Sequence, residues 1–346
     1  MKVLLIGATG FIGPHVVREL AKQGHEVTVF HRGGAEVALP YGVKQLYGDR
    51  NDIENSLHDF RSTAPDVVVD FILSSERQAA ALMNTFRGIA HRIVALSSGD
   101  VYRACGILHG SESGPLQPVP LTEDSQLRAN RNPYGSQMLT QLRAVFGWLD
   151  DEYDKIPVEH AVMSNPELPG TVLRLPMVYG PGDPLHRLFP YLKRMDDGRE
   201  AILIQENAAR WRGPRGYVDN VAAAIALATV SSRASGRIYN IAEEPALSEA
   251  EWVQRIGRSA RWDGSVVPLS KDLTPVHLRV SYNHAQDWIM SSVRIREELG
   301  YVELVGSDEA IERTIAWERA NPPVVAADAF DYAAEDKALE ARRFAT

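Results

Sequence analysis

Apolar and polar positions fall into two repeating patterns along the first hundred residues. Short, nearly all-apolar runs rich in β-branched residues occur at KVLLIG (2–7), HEVTVFHR (25–32), DVVVDFIL (66–73) and HRIVALSS (91–98). Segments with helical spacing lie between several of them, such as GPHVVRELAKQG (13–24) and ERQAAALMNTFRGI (76–89). Strand–helix–strand repetition predicts a parallel sheet covered by helices on both faces, and all-apolar runs suit strands buried on both sides. Two further runs, GTVLRLPMVYG (170–180) and GRIYNIA (236–242), extend the sheet, and YGDRND (47–52) closes a third strand. Between Tyr102 and Trp148 the chain turns polar and rich in Pro and Gly. This reads as a loop too long for a simple connection, of the kind that carries function at the edge of such a sheet. From Pro181 onward, helical segments broken by loops suit a second lobe. The final AADAFDYAAEDKALEARRFAT reads as a peripheral helix or a frayed tail.

Composition narrows the classes. At 346 residues the chain favours two packed lobes over one core. It is 45% hydrophobic and 24% charged, as ordinary soluble proteins are. A net charge of −8 argues against nucleic acid or an anionic membrane as the main partner. One cysteine, Cys105, allows no intramolecular disulfide and no cysteine cluster for zinc; no metal is expected. The N-terminal apolar run is too short for a secretion signal, and no stretch matches a membrane span. The expectation is a cytoplasmic protein acting on a small molecule, with a homodimer left open.

The first turn carries the clearest chemistry. In KVLLIGATGFIG, Gly7, Gly10 and Gly13 follow a strand and lead into a helix. Glycines at this spacing close a tight turn and let backbone N–H groups approach a pyrophosphate at the helix N-terminus. Thr9, Phe11 and Ile12 belong to the same turn. The second strand ends in His31 and Arg32, where NAD binders place a carboxylate for the ribose hydroxyls. Arg32 is placed to pair with a 2′-phosphate, so NADP is favoured, with NAD as the alternative. Asp49 and Arg50, at the end of the third strand, are candidates for the adenine side. These features predict an α/β, Rossmann-like doubly wound parallel sheet with a smaller C-terminal substrate lobe. Residues 1–180, rejoined by 215–245, would form the dinucleotide-binding domain. Residues 181–214 and 246–325 would form the substrate lobe, and 326–346 a tail.

GATGFIG, ALSSGDVY (95–102), TVLRLPMVYGPGD (171–183), RGYVDNVAAAI (215–225) and YNIAEEPALS (239–248) occur in order. With them the chain resembles the extended and atypical short-chain dehydrogenase/reductases, the NAD(P)-dependent epimerase/dehydratase family. The resemblance spans roughly residues 1–315. It implies an oxidoreductase or isomerase in which a tyrosine exchanges the proton of a substrate alcohol while hydride moves to or from the nicotinamide. A serine shares the substrate oxygen; Ser98 matches it. A lysine binds the nicotinamide ribose and lowers the tyrosine pKa, since a nearby positive charge stabilises phenolate. Pro176, in LRLPMVYGPGD, belongs to the cofactor side.

Two segments compete for the tyrosine and lysine. NPYGSQM (132–138) has the family's opening, but Met138 stands four residues after Tyr134 where the lysine belongs. DDEYDKIPVEHAV (151–163) supplies Lys155 with Glu159 one turn later, and directly precedes the strand TVLRLP. Its tyrosine, Tyr153, is only two residues before the lysine, a spacing that on a continuous helix points to nearly opposite sides. Pro157 is tolerated only in a first turn, so with Asp154 as N-cap, Tyr153 precedes the helix and is free of its phase. The second segment fits the topology better.

On the substrate side, Arg210, Arg212 and Arg215 cluster as suits a di-anion, and the resemblance implies that this segment lies near the phosphates in relatives that bind nucleotide-sugars. His186 and Arg187 also follow the family motif toward the cleft. The favoured function is an NAD(P)-dependent oxidoreductase or epimerase/dehydratase acting on an alcohol/ketone, a sugar or nucleotide-sugar among the candidates. The alternative is a non-catalytic, dinucleotide-binding regulatory or RNA-associated member.

Overall fold

The apolar runs become strands because each can bury both faces under helices. The computed structural model describes residues 1–34, 38–131, 134–326 and 329–345. Among these, the strands are β1 (Lys2–Ile6), β2 (Glu26–His31), β3 (Lys44–Tyr47), β4 (Val67–Asp70), β5 (Arg92–Ser98), β6 (Gly170–Leu175), β7 (Met177–Tyr179), β8 (Ala201–Gln205), β9 (Arg215–Tyr217), β10 (Arg237–Asn240) and β11 (Ser265–Leu269). Seven form one parallel sheet in the order β10-β6-β5-β4-β1-β2-β3. Strand β1 lies between β2 and β4, so the chain winds outward in both directions from it. The crevice beyond the C-terminal ends at that reversal is where such sheets bind ligands.

Alternate residues of β1 serve opposite faces. Val3 and Leu5 pack with Val16, Val17 and Leu20 of the helix Gly13–Lys22 and with the helix Val218–Val230. Leu4 and Ile6 pack with Leu82 and Phe86 of the helix Glu76–Phe86 and with Val158 and Val162 of the helix Lys155–Met163.

The C-terminal part departs from a purely helical expectation. β8 and β11 pair in parallel as a separate two-stranded sheet, from the short apolar runs AILIQ and SVVPL. The terminal helix Tyr332–Ala345 packs on this pair through Ala338, and its buried Glu335 pairs with Arg194 at 2.6 Å. Of the sequence tail, residues 327, 328 and 346 lie outside the described residues. The segment after Tyr102 is not a continuous loop either. RACGIL (Arg103–Leu108) forms a short, wholly buried helix, because its apolar content is local and is diluted only by the polar residues C-terminal to it. Among the described residues no helix is long and apolar enough to cross a membrane.

One buried ion pair fastens the helix Lys155–Met163 to the sheet. Arg174, on β6, meets the Glu159 carboxylate at two points, Nη2–Oε2 2.7 Å and Nε–Oε1 3.0 Å. Ser97 on β5 donates to the same carboxylate at 2.6 Å. The remaining guanidinium nitrogen donates to the Tyr102 hydroxyl and the Glu123 carbonyl, each at 2.9 Å. Tyr102 in turn donates to Asn240 on β10 at 2.6 Å.

Removing one member of such a pair leaves a buried charge unmatched, at a cost of about 3–5 kcal/mol. Arg174→Met is therefore expected to lower the unfolding free energy by about that amount in equilibrium urea titration. The double variant Arg174→Met/Glu159→Leu is expected to recover most of the loss. A single variant as stable as the wild type would show that the pair is not the anchor.

Candidate functional site

The glycine turn divides its labour. Gly7 has φ +76°, the left-handed region that L side chains rarely enter. A Cβ at Gly13 would lie 2.4 Å from the Ala8 backbone, so the helix can approach β1 this closely only with glycine there. A Cβ at Gly10 would meet nothing within 4 Å; it would point into open space. That space belongs to a cleft of about 410 Å³ at the C-terminal end of β1, bordered by Gly7, Thr9 and Gly10. His31, Arg32, Asp49 and Arg50 line the same cleft. Phe11 and Ile12 pack instead against the core, and Pro176 lies between β6 and β7.

The cleft's polar groups are unequally committed. His31 uses one ring nitrogen on Gln45 at 3.0 Å and the other on the Gly33 amide at 3.3 Å. Asp49 accepts from the Asn51 amide at 2.8 Å and caps the short helical turn Arg50–Ser56. Buried Arg50 pairs with Asp70 (Nε–Oδ2 2.8 Å) and donates to the Gln78 carbonyl at 2.8 Å, while its Nη1 has no hydrogen-bond partner. Arg32 is exposed and makes no ion pair among the described residues. An open face at Gly10, a free buried guanidinium nitrogen and an exposed arginine on one cleft fit an anionic dinucleotide.

Beyond the ends of β4 and β5 lies a second cluster, centred on Asp100. This residue is fully buried, in the turn between Ser98 and Tyr102. Its Oδ2 accepts from the Tyr153 hydroxyl at 2.7 Å and the Tyr134 hydroxyl at 3.1 Å. The two rings lie 6.1 Å apart. The competing tyrosines are thus brought together on one carboxylate oxygen. The other, Oδ1, is buried without a partner. Ser98 is half-buried, and its Oγ accepts from the Asp100 amide at 3.2 Å. Buried Arg128 donates to the Asp100 carbonyl at 2.9 Å and to the Asp154 carboxylate at 2.6 Å. Asp154 caps the helix Lys155–Met163, and Pro157 falls in its first turn. Tyr153 therefore precedes the helix. Asn132 and Pro133 of NPYGSQM lie outside the described residues; from Ser136 that stretch enters a helix, Ser136–Val145, with no buried residue.

Lys155 is buried and donates to the carbonyls of Leu73 and Leu96, the latter at 3.0 Å. Its ammonium lies 5.9 Å from the Tyr153 ring centre and 5.5 Å from that of Trp148, a residue that also lines the dinucleotide cleft. Desolvation lowers Lys155 to about 8. The tyrosines move the other way from the lowered value that the family mechanism implies. Burial, then the Asp100 charge, pushes both Tyr153 and Tyr134 well above the usual phenol range. Both are neutral donors near neutral pH.

The arginines expected to gather on the substrate side do not all share a pocket: Arg210 and Arg212 border one depression and Arg215 another. Arg215 pairs with Glu249 and stacks on Trp252 at 4.9 Å. Arg210 is exposed and pairs with Glu206 at 2.7 Å. It shares a shallow depression with Arg212, Glu206 and Asp287, so the charges there balance. His186 pairs with Glu318 at 2.6 Å and stacks on Trp317, and Arg187 pairs with Asp183 at 2.6 Å. Each of these side chains except Arg212 has a carboxylate partner; Glu206 and Asp183 lie four residues away in the chain, whereas Glu249 and Glu318 are brought in only by the fold.

A model of the NAD dependent epimerase/dehydratase family matches residues 3–242. The chain belongs to that family. It is similar to 2′-dehydrokanamycin reductase of Streptomyces kanamyceticus, 26% identical over 263 residues, covering 74% of this chain and 66% of that protein. It is also similar to dTDP-glucose 4,6-dehydratase of Streptomyces griseus, 25% identical over 349 residues, 91% and 93% of the two chains. The solved structure of the Bordetella bronchiseptica enzyme WbmG in complex with NAD and UDP shares the fold, with a TM-score of 0.65 at 16% identity over 92% of this chain and 95% of that one. This epimerase/dehydratase-family member is an NAD(P)-dependent enzyme of the oxidoreductase and epimerase class.

Two members of the cluster carry no sequence signal of their own. Asp100 sits inside the motif ALSSGDVY, between the serine and tyrosine of that motif, but only the fold brings Tyr134 and Tyr153 to it. Arg128 lies in a polar stretch that looks solvated, yet its side chain is wholly buried.

The glycines separate binding from folding. Gly10→Val is expected to leave the unfolding transition nearly unchanged and weaken dinucleotide affinity by at least about tenfold, because only the open cleft is filled. Gly13→Ala is expected to destabilise the fold by about 1–3 kcal/mol or more, through overlap with the Ala8 backbone. Fluorescence titration and thermal unfolding of both variants check this. An unchanged affinity in folded Gly10→Val would move the dinucleotide elsewhere.

Proposed function

We propose that this enzyme catalyses NADP-linked interconversion of an alcohol and a ketone, with Tyr153 exchanging the substrate proton and Asp100 receiving it. The observation that carries this reading is the sharing of one buried carboxylate oxygen by Tyr153 and Tyr134, with Lys155 beside them at the ends of β4 and β5. Gly7, Gly10, Arg32 and Arg50 would hold the dinucleotide, which supplies or accepts hydride when bound. In the oxidation direction a substrate hydroxyl donates to the Tyr153 oxygen while the phenol proton passes to Asp100 Oδ2. The phenol stays neutral throughout, which suits its raised pKa. Ser98 and Tyr134 orient the substrate oxygen. In this reading residues 1–180 with 215–245 bind cofactor, and 181–214 with 246–325 shape the substrate side. Transient oxidation at the same groups would serve epimerisation or dehydration.

NADP preference rests on Arg32. It is the exposed cation at the end of β2, and His31 beside it is already committed to Gln45 and Gly33. Losing a charge-assisted contact to the 2′-phosphate costs roughly 1.5–3 kcal/mol, about ten- to a hundred-fold.

Single-turnover hydride transfer tests the acid/base assignment. Tyr153→Phe is expected to lose turnover and keep cofactor affinity, and Tyr134→Phe to lose less. In parallel titrations Arg32→Ala is expected to weaken NADP and spare NAD. Turnover retained in Tyr153→Phe but lost in Tyr134→Phe would exchange the two tyrosines. Wild-type protein that binds cofactor but turns over no alcohol or ketone would favour a non-catalytic binding module.

The Lys155 amine gives a pH signature. It is charged below its pKa of about 8 and neutral above it. Positive charge favours an anionic ligand, so dinucleotide affinity is expected to fall as pH rises through about 8. Lys155→Met is expected to bind more weakly and to lose that dependence. A wild-type affinity level across this range would place the amine away from the dinucleotide.

A further inference from the structure

We infer that the substrate is an uncharged, ring-bearing ketone or alcohol without a phosphate group, held in the cavity walled by Tyr134 and Tyr282. This rests on the alcohol/ketone reading above and narrows it. The cavity is an open cleft of about 690 Å³, a volume that a small organic ligand fills. Tyr134 connects it to the proposed chemistry: it lines the cleft, which Tyr153 and Ser98 do not, and its hydroxyl shares Asp100 Oδ2 with that of Tyr153.

The cavity's walls select by chemistry. His109 meets Tyr134 edge-to-face at 5.4 Å and Tyr282 at 5.0 Å, so three rings form an aromatic corner. Such a corner favours the face or edge of another ring. Ser111, Ser136, Ser281 and Asn130 add neutral donors and acceptors. Among the described residues no Lys, Arg, Asp or Glu lines this cavity. His109 is held by Nδ1 to the Cys105 carbonyl at 2.9 Å. The positive pole here is the N-terminus of the helix Ser136–Val145, reached through Gly135 and Ser136. A helix end carries about half a charge, which suits a carbonyl or hydroxyl oxygen and falls short of a diphosphate.

Diphosphate recognition would need arginines, and of the three on the substrate side two are committed to carboxylates. Arg215 is paired with Glu249, Arg210 with Glu206, and Arg212 faces a depression that also holds Glu206 and Asp287. Burying a phosphate against neutral walls would leave its charge uncompensated.

Calorimetric titration of the NADPH-loaded full chain with two probes tests this. Acetophenone, an uncharged ring-bearing ketone, is expected to bind. UDP-glucose is expected not to bind. Tyr282→Ala is expected to weaken acetophenone about tenfold, and Tyr282→Phe, which keeps the ring, to retain it. UDP-glucose binding as tightly as acetophenone would overturn the inference, as would acetophenone that fails to bind or is indifferent to Tyr282→Ala in a folded protein. Failure of the alcohol/ketone reading would look different: acetophenone would bind with Tyr282 dependence, and no ketone would be reduced.

Discussion

The buried guanidinium of Arg174 is the constraint on which the rest of the site depends. It holds Glu159 at two points, reaches Tyr102 and the Glu123 carbonyl, and through Tyr102 reaches Asn240. Strands β5, β6 and β10, the polar segment after Tyr102 and the helix Lys155–Met163 therefore meet at one side chain. Lys155 and Glu159 are one turn apart on that helix. Fixing the carboxylate against β5 and β6 fixes where the amine emerges, between the carbonyls of Leu73 and Leu96. Glu159, which the sequence marks only as the glutamate one turn after Lys155, acts in the fold as the clamp that positions that lysine.

The electrostatics of the cluster arise from burial without water. The two phenols that donate to Asp100 are buried beside its carboxylate, and burial first, then that neighbour, makes them hold their protons more tightly than free tyrosine does. The amine of Lys155 is enclosed as well, and holds its proton less tightly. Desolvation is the largest cause in all three. It pushes acid and base apart in opposite directions, toward a neutral phenol and a more readily neutralised amine.

On the substrate side the same physics works through pairing. Arginine forms strong two-point contacts with carboxylates, and a folded chain with more acidic than basic residues offers many. Arg215 and Arg210 found Glu249 and Glu206. The cleft beside Tyr134 is lined by rings, hydroxyls, an amide, Met138 and Leu139, with no Lys, Arg, Asp or Glu among the described residues.

The sequence by itself determined the frame. Runs such as VLLI and VVVD, apolar on both faces, can only be covered strands, and the glycine spacing from Gly7 to Gly13 specifies a turn that reads the same in any context. Pro157 with Asp154 also marked where a helix begins, because a proline's fixed φ and missing N–H act locally. Short elements with weaker local patterns stayed hidden: the buried helix RACGIL, the strand pair β8 and β11, and the docking of the terminal helix through Glu335 and Arg194. The tertiary structure alone decided the chemistry. Tyr134 and Tyr153 stand 19 residues apart in the chain and compete as sequence motifs, yet both reach Asp100. Whether Arg215 faces a ligand or a glutamate, and whether a phenol is wet or buried, depends on neighbours distant in the chain. Periodicity and spacing record only what a residue shares with its near neighbours, whereas charge pairing and desolvation are set by what the fold brings within a few ångströms.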